Sequence, residues 1–263
     1  MTPKIYREKI RPIWIVFSMR WGGPEQVAMS DMVDMANSDI PITLICRDGS
    51  PVHAAALRHP KIKVLPFIHE ARGYFDWGFM RNLRATIESV DANIVHINDE
   101  SLLWYLQIAL WRNNLVSVIA NRHSVVERGF RSFLRGLLLR RLDYMIVLSE
   151  SVRQSVLASG SLSEKKIKVI NLGLDFTRFD PARGNGEAMR QIWGAEKGTV
   201  VIGSVGRLVP EVGQATFLKA AASLLKFPDW KLRFVIVGEE PLVASEEYVE
   251  SLKELVKIFH MEE

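Results

Sequence analysis

Short apolar runs of four to seven residues recur along the chain, at Pro12–Ser18, Ile42–Cys46, Lys63–Ile68, Ile94–Ile97, Val116–Ala120, Tyr144–Leu148 and Ile167–Ile170. Continuous apolar runs of this length, bounded by glycine or polar residues, predict strands buried on both faces. Between them, periodic segments at Gln26–Asn37, Phe79–Val90 and Leu102–Trp111 predict helices, and Ser149-Glu150-Ser151 has the hydroxyls and early acid that open another. The alternation predicts an open, mostly parallel sheet with helices on both faces. After a polar segment from Asp180 to Gly198, which reads as a linker and a first helix, a second unit follows. It comprises an apolar run from Thr199 to Leu208, the loop Pro210-Glu211-Val212-Gly213, a helical segment Gln214–Phe227, a second apolar run Leu232–Gly238 and an amphipathic helix around Glu247–Phe259. No short fixed repeat is present.

The chain's 263 residues and 48% hydrophobic content suffice for one large core or two modest ones. No apolar run is long enough to span a bilayer, and Met1–Arg11 carries charge without the apolar stretch and cleavage site of an export signal. The single cysteine, Cys46, excludes an internal disulfide, and its apolar setting predicts a buried thiol in a reducing compartment. The formal charge of +4 is uneven: residues 186–263 carry nine Lys/Arg against twelve Asp/Glu, leaving 25 against 18, or +7, for residues 1–185. A basic first half fits an acidic substrate or an anionic membrane surface better than nucleic acid, which calls for a denser basic patch with interleaved aromatics.

Candidate chemistry sits where strands end. Gly22 and Gly23 follow the first strand, permitting close approach of a ligand to backbone or simply a tight turn into the helix. His123 follows the fifth strand, at the sheet end where ligands of this architecture bind, though a structural hydrogen-bonding role fits the pattern as well. Asp99 and Glu100 follow the fourth and could contact an acceptor or cation, act as a base, or cap the next helix. Arg207 follows a strand-ending glycine, where backbone N–H groups can cradle an anion. The segment Arg128 to Arg141 is basic and amphipathic: Arg128, Arg131, Arg135, Arg140 and Arg141 alternate with Phe130, Phe133 and Leu137. It reads either as a surface that lies on anionic lipid or as a core-facing helix with a solvated edge. No metal-ligand spacing occurs, and no Gly-x-Gly-x-x-Gly with a ribose-binding acid follows the first strand, which disfavours a dinucleotide oxidoreductase.

Together, several of these segments resemble the family 4 glycosyltransferases. They are Gly22-Gly23, His123, Ser149-Glu150-Ser151, Asn171-x-Gly173-x-Asp175-x-x-x-Phe179-x-Pro181 and Gly203-x-x-Gly206-Arg207-Leu208-x-Pro210-Glu211. The resemblance implies an α/β, GT-B-like fold of two Rossmann-like domains facing a cleft, here an acceptor domain at 1–185 and a donor domain at 186–263. It also implies a retaining transfer of a hexose from a nucleoside diphosphate sugar, without metal or cofactor, to a glycan or lipid-linked acceptor in polysaccharide biosynthesis. Gly22 and Gly23 would lie against the donor phosphate, His123 would contact the transferred sugar, and Arg207 would hold the diphosphate. The family's motif commonly places a lysine after Pro-Glu, where this chain has Val212. Losing a cation that answers a leaving diphosphate should cost about 3–4 kcal/mol of transition-state stabilisation if nothing compensates. The family's later donor-domain strands, its Glu-x7-Glu motif and its terminal helix have no counterpart before Glu263, so the second domain is expected to be incomplete, with a partner chain as one way of completing it. The expected setting is cytoplasmic, peripheral on the inner face of the plasma membrane. The alternative is a catalytically silent homologue that binds an acceptor or a protein partner through its first domain.

Overall fold

The computed structural model describes residues 10–73, 75–111, 116–123, 139–160, 162–177, 179–227, 229–238 and 246–261. Contacts divide the chain into two compact units, Met1–Gly173 and Leu174–Glu263.

All seven apolar runs of the first unit form strands: β1 (Pro12–Val16), β2 (Ile42–Arg47), β3 (Ile62–Phe67), β4 (Ile94–Ile97), β5 (Ser117–Arg122), β6 (Tyr144–Val147) and β7 (Ile167–Val169). They make one fully parallel sheet of order β3-β2-β1-β4-β5-β6-β7. Their uninterrupted hydrophobicity follows from burial on both faces. Along β1, Trp14 and Val16 enter the cluster beneath the helices Gly23–Asn37 and Pro51–Ala56, while Ile13 and Ile15 enter the opposite one, under Trp77–Glu88 and Leu103–Ala109. The helix Glu150–Ala158 adds Val152 and Val156 to that second cluster, and Ser149 caps it by accepting from the Val152 N–H at 3.3 Å. Cys46 lies fully buried in the first cluster, which pushes its thiol up to about 11, so it stays an unreactive packing residue at neutral pH.

The second unit holds a parallel pair, β8 (Val200–Val205) and β9 (Leu232–Val237), in register from Val200 opposite Leu232 to Val205 opposite Val237. Between the strands runs the helix Gln214–Leu224, whose Leu218 and Ala221 are buried, as are Val249 and Leu252 of the helix Glu246–Ile258 that packs on it. The linker reading of 180–198 resolves into a short turn at Pro181–Arg183 and a helix at Gly186–Ile192, each opened by a side-chain cap, Asp180 and Asn185.

Candidate active site

In the first sheet the order of strand addition reverses between β1 and β4. Connections leaving these two strands run to opposite sides, and a crevice opens at their carboxyl ends. A cavity of about 800 Å³ occupies it. Its wall takes Arg20 from the loop after β1, Pro24 and Glu25 from the first turn of the helix that follows, Arg47 from β2, Asn98 to Leu102 from the segment after β4, and Asn121, Arg122 and His123 from the end of β5. A second cavity of about 570 Å³ shares His69, Ala71 and Phe79 with it.

Gly22 and Gly23 lie between the wall residues Arg20 and Pro24 and begin the helix Gly23–Asn37, three residues earlier than the sequence pattern suggests. The early start has a visible cause: the Glu25 carboxylate reaches back to accept the Gly22 N–H at 2.9 Å, and Pro24 pre-sets the first turn. A Cβ at Gly22 would come within 3.1 Å of that carboxylate, whereas one at Gly23 would meet nothing within 4 Å. The fold therefore does not demand glycine at 23. The space beside Gly23 is open, at a helix start where Glu25 takes the Gly22 N–H and Pro24 carries none.

His123 reaches the same cavity, and its Nε2 is shielded from solvent with no hydrogen-bond partner among the described residues. Burial lowers its pKa, opposed by the neighbouring Glu25 carboxylate. At neutral pH it is an uncharged imidazole with an idle nitrogen, suited to a hydroxyl of a bound ligand. The adjacent acids diverge in role. Asp99 Oδ1 accepts the Ser101 N–H at 2.8 Å and so caps the turn Glu100–Leu102, while Glu100 pairs with Arg122 at 2.5 Å, both side chains largely buried. Among the described residues no group of three or more acids, histidines or cysteines could hold a metal ion.

Sequence reasoning missed Glu25, Asn98, Asn121 and Arg122. Only Glu25 carried a local signal, an acid three residues after the N-cap position. The others are brought together by strand order.

In the second unit, Arg207 stands just beyond β8 and Val212 closes the turn Pro210–Val212. The Arg207 carbonyl is pinned by the fully buried Gln214, whose Nε2 donates to it at 2.7 Å, and by the Val209 N–H at 2.9 Å. Its guanidinium is exposed, with no ion pair or hydrogen bond among the described residues. Val212 is 41% exposed, and its Cγ1 lies 2.9 Å from where a Cβ on Gly206 would stand, so it covers the end of the strand beside Arg207.

Residues 124–138, and with them Arg128, Phe130, Arg131, Phe133 and Arg135, lie outside the described residues, as does the side chain of Arg140. Arg141 is described: its guanidinium is engaged inside the fold, with Asp143 at 3.2 Å and with the Val116 carbonyl.

Residues 21–178 match the family model Glycosyltransferase Family 4, and residues 185–263 match Glycosyl transferases group 1. The chain belongs to the family 4 glycosyltransferases, with the GT-B type of fold. It is similar to the UDP-Gal:alpha-D-GlcNAc-diphosphoundecaprenol alpha-1,3-galactosyltransferase of Escherichia coli, at 22% identity over 238 residues. The match takes in 86% of this chain and 61% of that protein, so the chain spans less than two thirds of the curated relative. Among solved structures it resembles HepE of Anabaena in complex with UDP and glucose, with a TM-score of 0.78 and 17% identity over 96% of this chain and 67% of that one. A glycosyltransferase from Rickettsia africae ESF-5 is similar at a TM-score of 0.79 and 16% identity, over 96% of this chain and 66% of that one.

Proposed function

We propose that this chain is a retaining glycosyltransferase that moves a hexose from a nucleoside diphosphate sugar to a glycan or lipid-linked acceptor, with residues 1–185 as acceptor domain and 186–263 as donor domain. The observation that carries the reading is the unpartnered Nε2 of His123 in the cavity at the carboxyl end of the sheet, whose wall also takes Pro24 and Glu25 from the helix start beside Gly23. The helix start would answer phosphate charge and His123 a sugar hydroxyl. The cavity and its neighbour leave room for an acceptor. In the second unit Arg207 presents an uncommitted cation on a backbone held still by Gln214, which suits a diphosphate that gains charge as it leaves. The UDP in HepE and the UDP-Gal in the name of the Escherichia coli relative favour a uridine nucleotide. Calorimetric titration with UDP, GDP, ADP and CDP tests this; UDP should bind, and binding of none would overturn it.

Arg207→Ala should weaken UDP binding by about 30-fold, the loss of roughly 2 kcal/mol expected for a hydrogen bond to a charged group. The melting temperature should barely move, because the exposed guanidinium supports nothing in the fold. A parallel loss of stability would make this a structural arginine.

Val212 favours a second reading, a catalytically silent homologue acting as an acceptor-binding or partner-binding module. Val212→Lys separates the two. Its stem can replace the valine against Gly206, bringing the ammonium beside Arg207. Without ligand the two cations repel; with a diphosphate between them, affinity should rise about tenfold, or roughly 1.4 kcal/mol. Unchanged or weaker affinity at both low and moderate salt would mean that position 212 does not face a phosphate.

No helix among the described residues is long and apolar enough to cross a membrane. Peripheral attachment to the inner face of the plasma membrane rests on the sequence from Arg128 to Arg140. Sedimentation with vesicles should show binding that requires anionic lipid and fades with salt, since the field is screened over about 8 Å at physiological ionic strength. Equal binding to neutral vesicles would remove this electrostatic account.

A further inference from the structure

Beneath the helix Gly23–Asn37 a line of polar side chains runs from the sheet interior to the glycine loop. His96 on β4 stands in register with Trp14 on β1, and their rings stack at 3.7 Å with 19° between planes. The His96 Nε2 lies 2.8 Å from Asn121 Oδ1, the Asn121 Nδ2 donates to Asn98 Oδ1 at 3.3 Å, and the Asn98 Nδ2 donates to the Pro24 carbonyl at 2.7 Å. His96 and Asn121 are both buried.

The last bond fixes the direction of all the others. A carbonyl only accepts, so Asn98 must turn its NH₂ toward Pro24 and its oxygen toward Asn121. Asn121 must then offer its NH₂ to Asn98 and its oxygen to His96, which leaves His96 as the donor, neutral and protonated on Nε2. Burial holds the imidazole neutral, moving its pKa down to about 4. Every bond in the line points the same way, and it ends on the residue after Gly22-Gly23.

We propose that His96, Asn121 and Asn98 are positioning residues, a hydrogen-bonded relay that fixes the Gly22-Gly23-Pro24 loop in its ligand-binding shape. The importance for ligand rests on the glycosyltransferase reading above; the restraint on the loop does not. No other side chain hydrogen bond among those described ties the Pro24 carbonyl to the sheet. A helix start that opens on two glycines has the widest backbone freedom to lose, and a fixed tether at Pro24 keeps the Gly23 N–H aimed before a ligand arrives.

Two measurements test this. In the ligand-free protein, Asn121→Leu should speed hydrogen exchange of the backbone amides at residues 22–28 by about tenfold, the loss of one hydrogen bond's restraint. Exchange in the helix Gln214–Leu224 should stay as in the wild type. Uniform acceleration across the first unit, or none at residues 22–28, would overturn the relay. If the buried substitution prevents folding, Asn98→Asp carries the same test from the cavity end, because a carboxylate there keeps the shape but cannot donate to Pro24. The second measurement is UDP affinity in a double-mutant cycle with Gly23→Ala. Asn121→Leu should cost about tenfold alone and little once the Gly23→Ala methyl already occupies the open space beside the helix start; fully additive losses would show that it acts elsewhere. A wild type that binds no UDP would defeat the proposed function, and the relay would then stand or fall on the exchange data alone.

Discussion

Alanine at position 238 is expected to prevent the second unit from folding as it does here. A Cβ on Gly238 would stand 2.0 Å from the Gly206 carbonyl oxygen and 3.1 Å from its carbon. The Gly206 N–H donates to the Val237 carbonyl at 2.9 Å, so the ends of β8 and β9 are already drawn together. The obstacle is backbone, with no rotamer to swing aside. Relief requires parting the strand ends and breaking that hydrogen bond, at a cost above about 4 kcal/mol. A unit of this size has roughly 5–13 kcal/mol of stability in all. Calorimetry of the full chain should show the transition of the second unit lowered by about 15 °C or more, or lost. Gly203→Ala, on β8 itself, supplies the comparison: its Cβ would meet only the Val235 carbonyl oxygen, at an ordinary 3.7 Å, so the damage should be far smaller. Melting of the Gly238→Ala protein like the wild type would refute the account.

The second large effect is a loss of stability in mild acid traceable to His96. Burial moves its pKa down to about 4 in the fold from the ordinary 6.5; the Asn121 hydrogen bond opposes this, and the nearby His123 adds a smaller push downward. Above pH 6.5 the imidazole is neutral folded or unfolded, and nothing is lost. As pH falls from 6.5 toward 4 the unfolded chain takes up a proton that the folded chain refuses, so unfolding is favoured. The full difference is about 3 kcal/mol near pH 4. Denaturant titrations of the wild type and His96→Phe, which keeps an aromatic ring against Trp14, should give a difference that shrinks progressively over this window. A pH-independent difference would mean that the imidazole titrates freely in the native protein.

The parallel sheet was legible because burial on both faces leaves strands as unbroken apolar runs, and every one of those runs forms a strand. The helix Pro51–Ala56 was not legible. It has six residues, only Val52 and Ala56 buried, and depends on the Ser50 hydroxyl accepting the His53 N–H at 3.1 Å. Within the candidate site, His123 and the glycine pair could be singled out by their position after a strand. The relay could not: His96 looks like a polar interruption of an apolar strand until β1 and β4 are known to be neighbours, and Asn98 and Asn121 acquire meaning only across strands 23 positions apart in sequence. The pairing of Glu100 with Arg122 was hidden for the same reason.

The meeting of Gly206 and Gly238 has an evolutionary consequence. It is a contact of main chain with main chain, so it selects for the absence of side chains and is indifferent to the chemistry around it. The side chain at position 212, on its rim, can change in chemistry without parting the strand ends. Positions 206 and 238 should therefore remain glycine together, whatever side chain stands at 212.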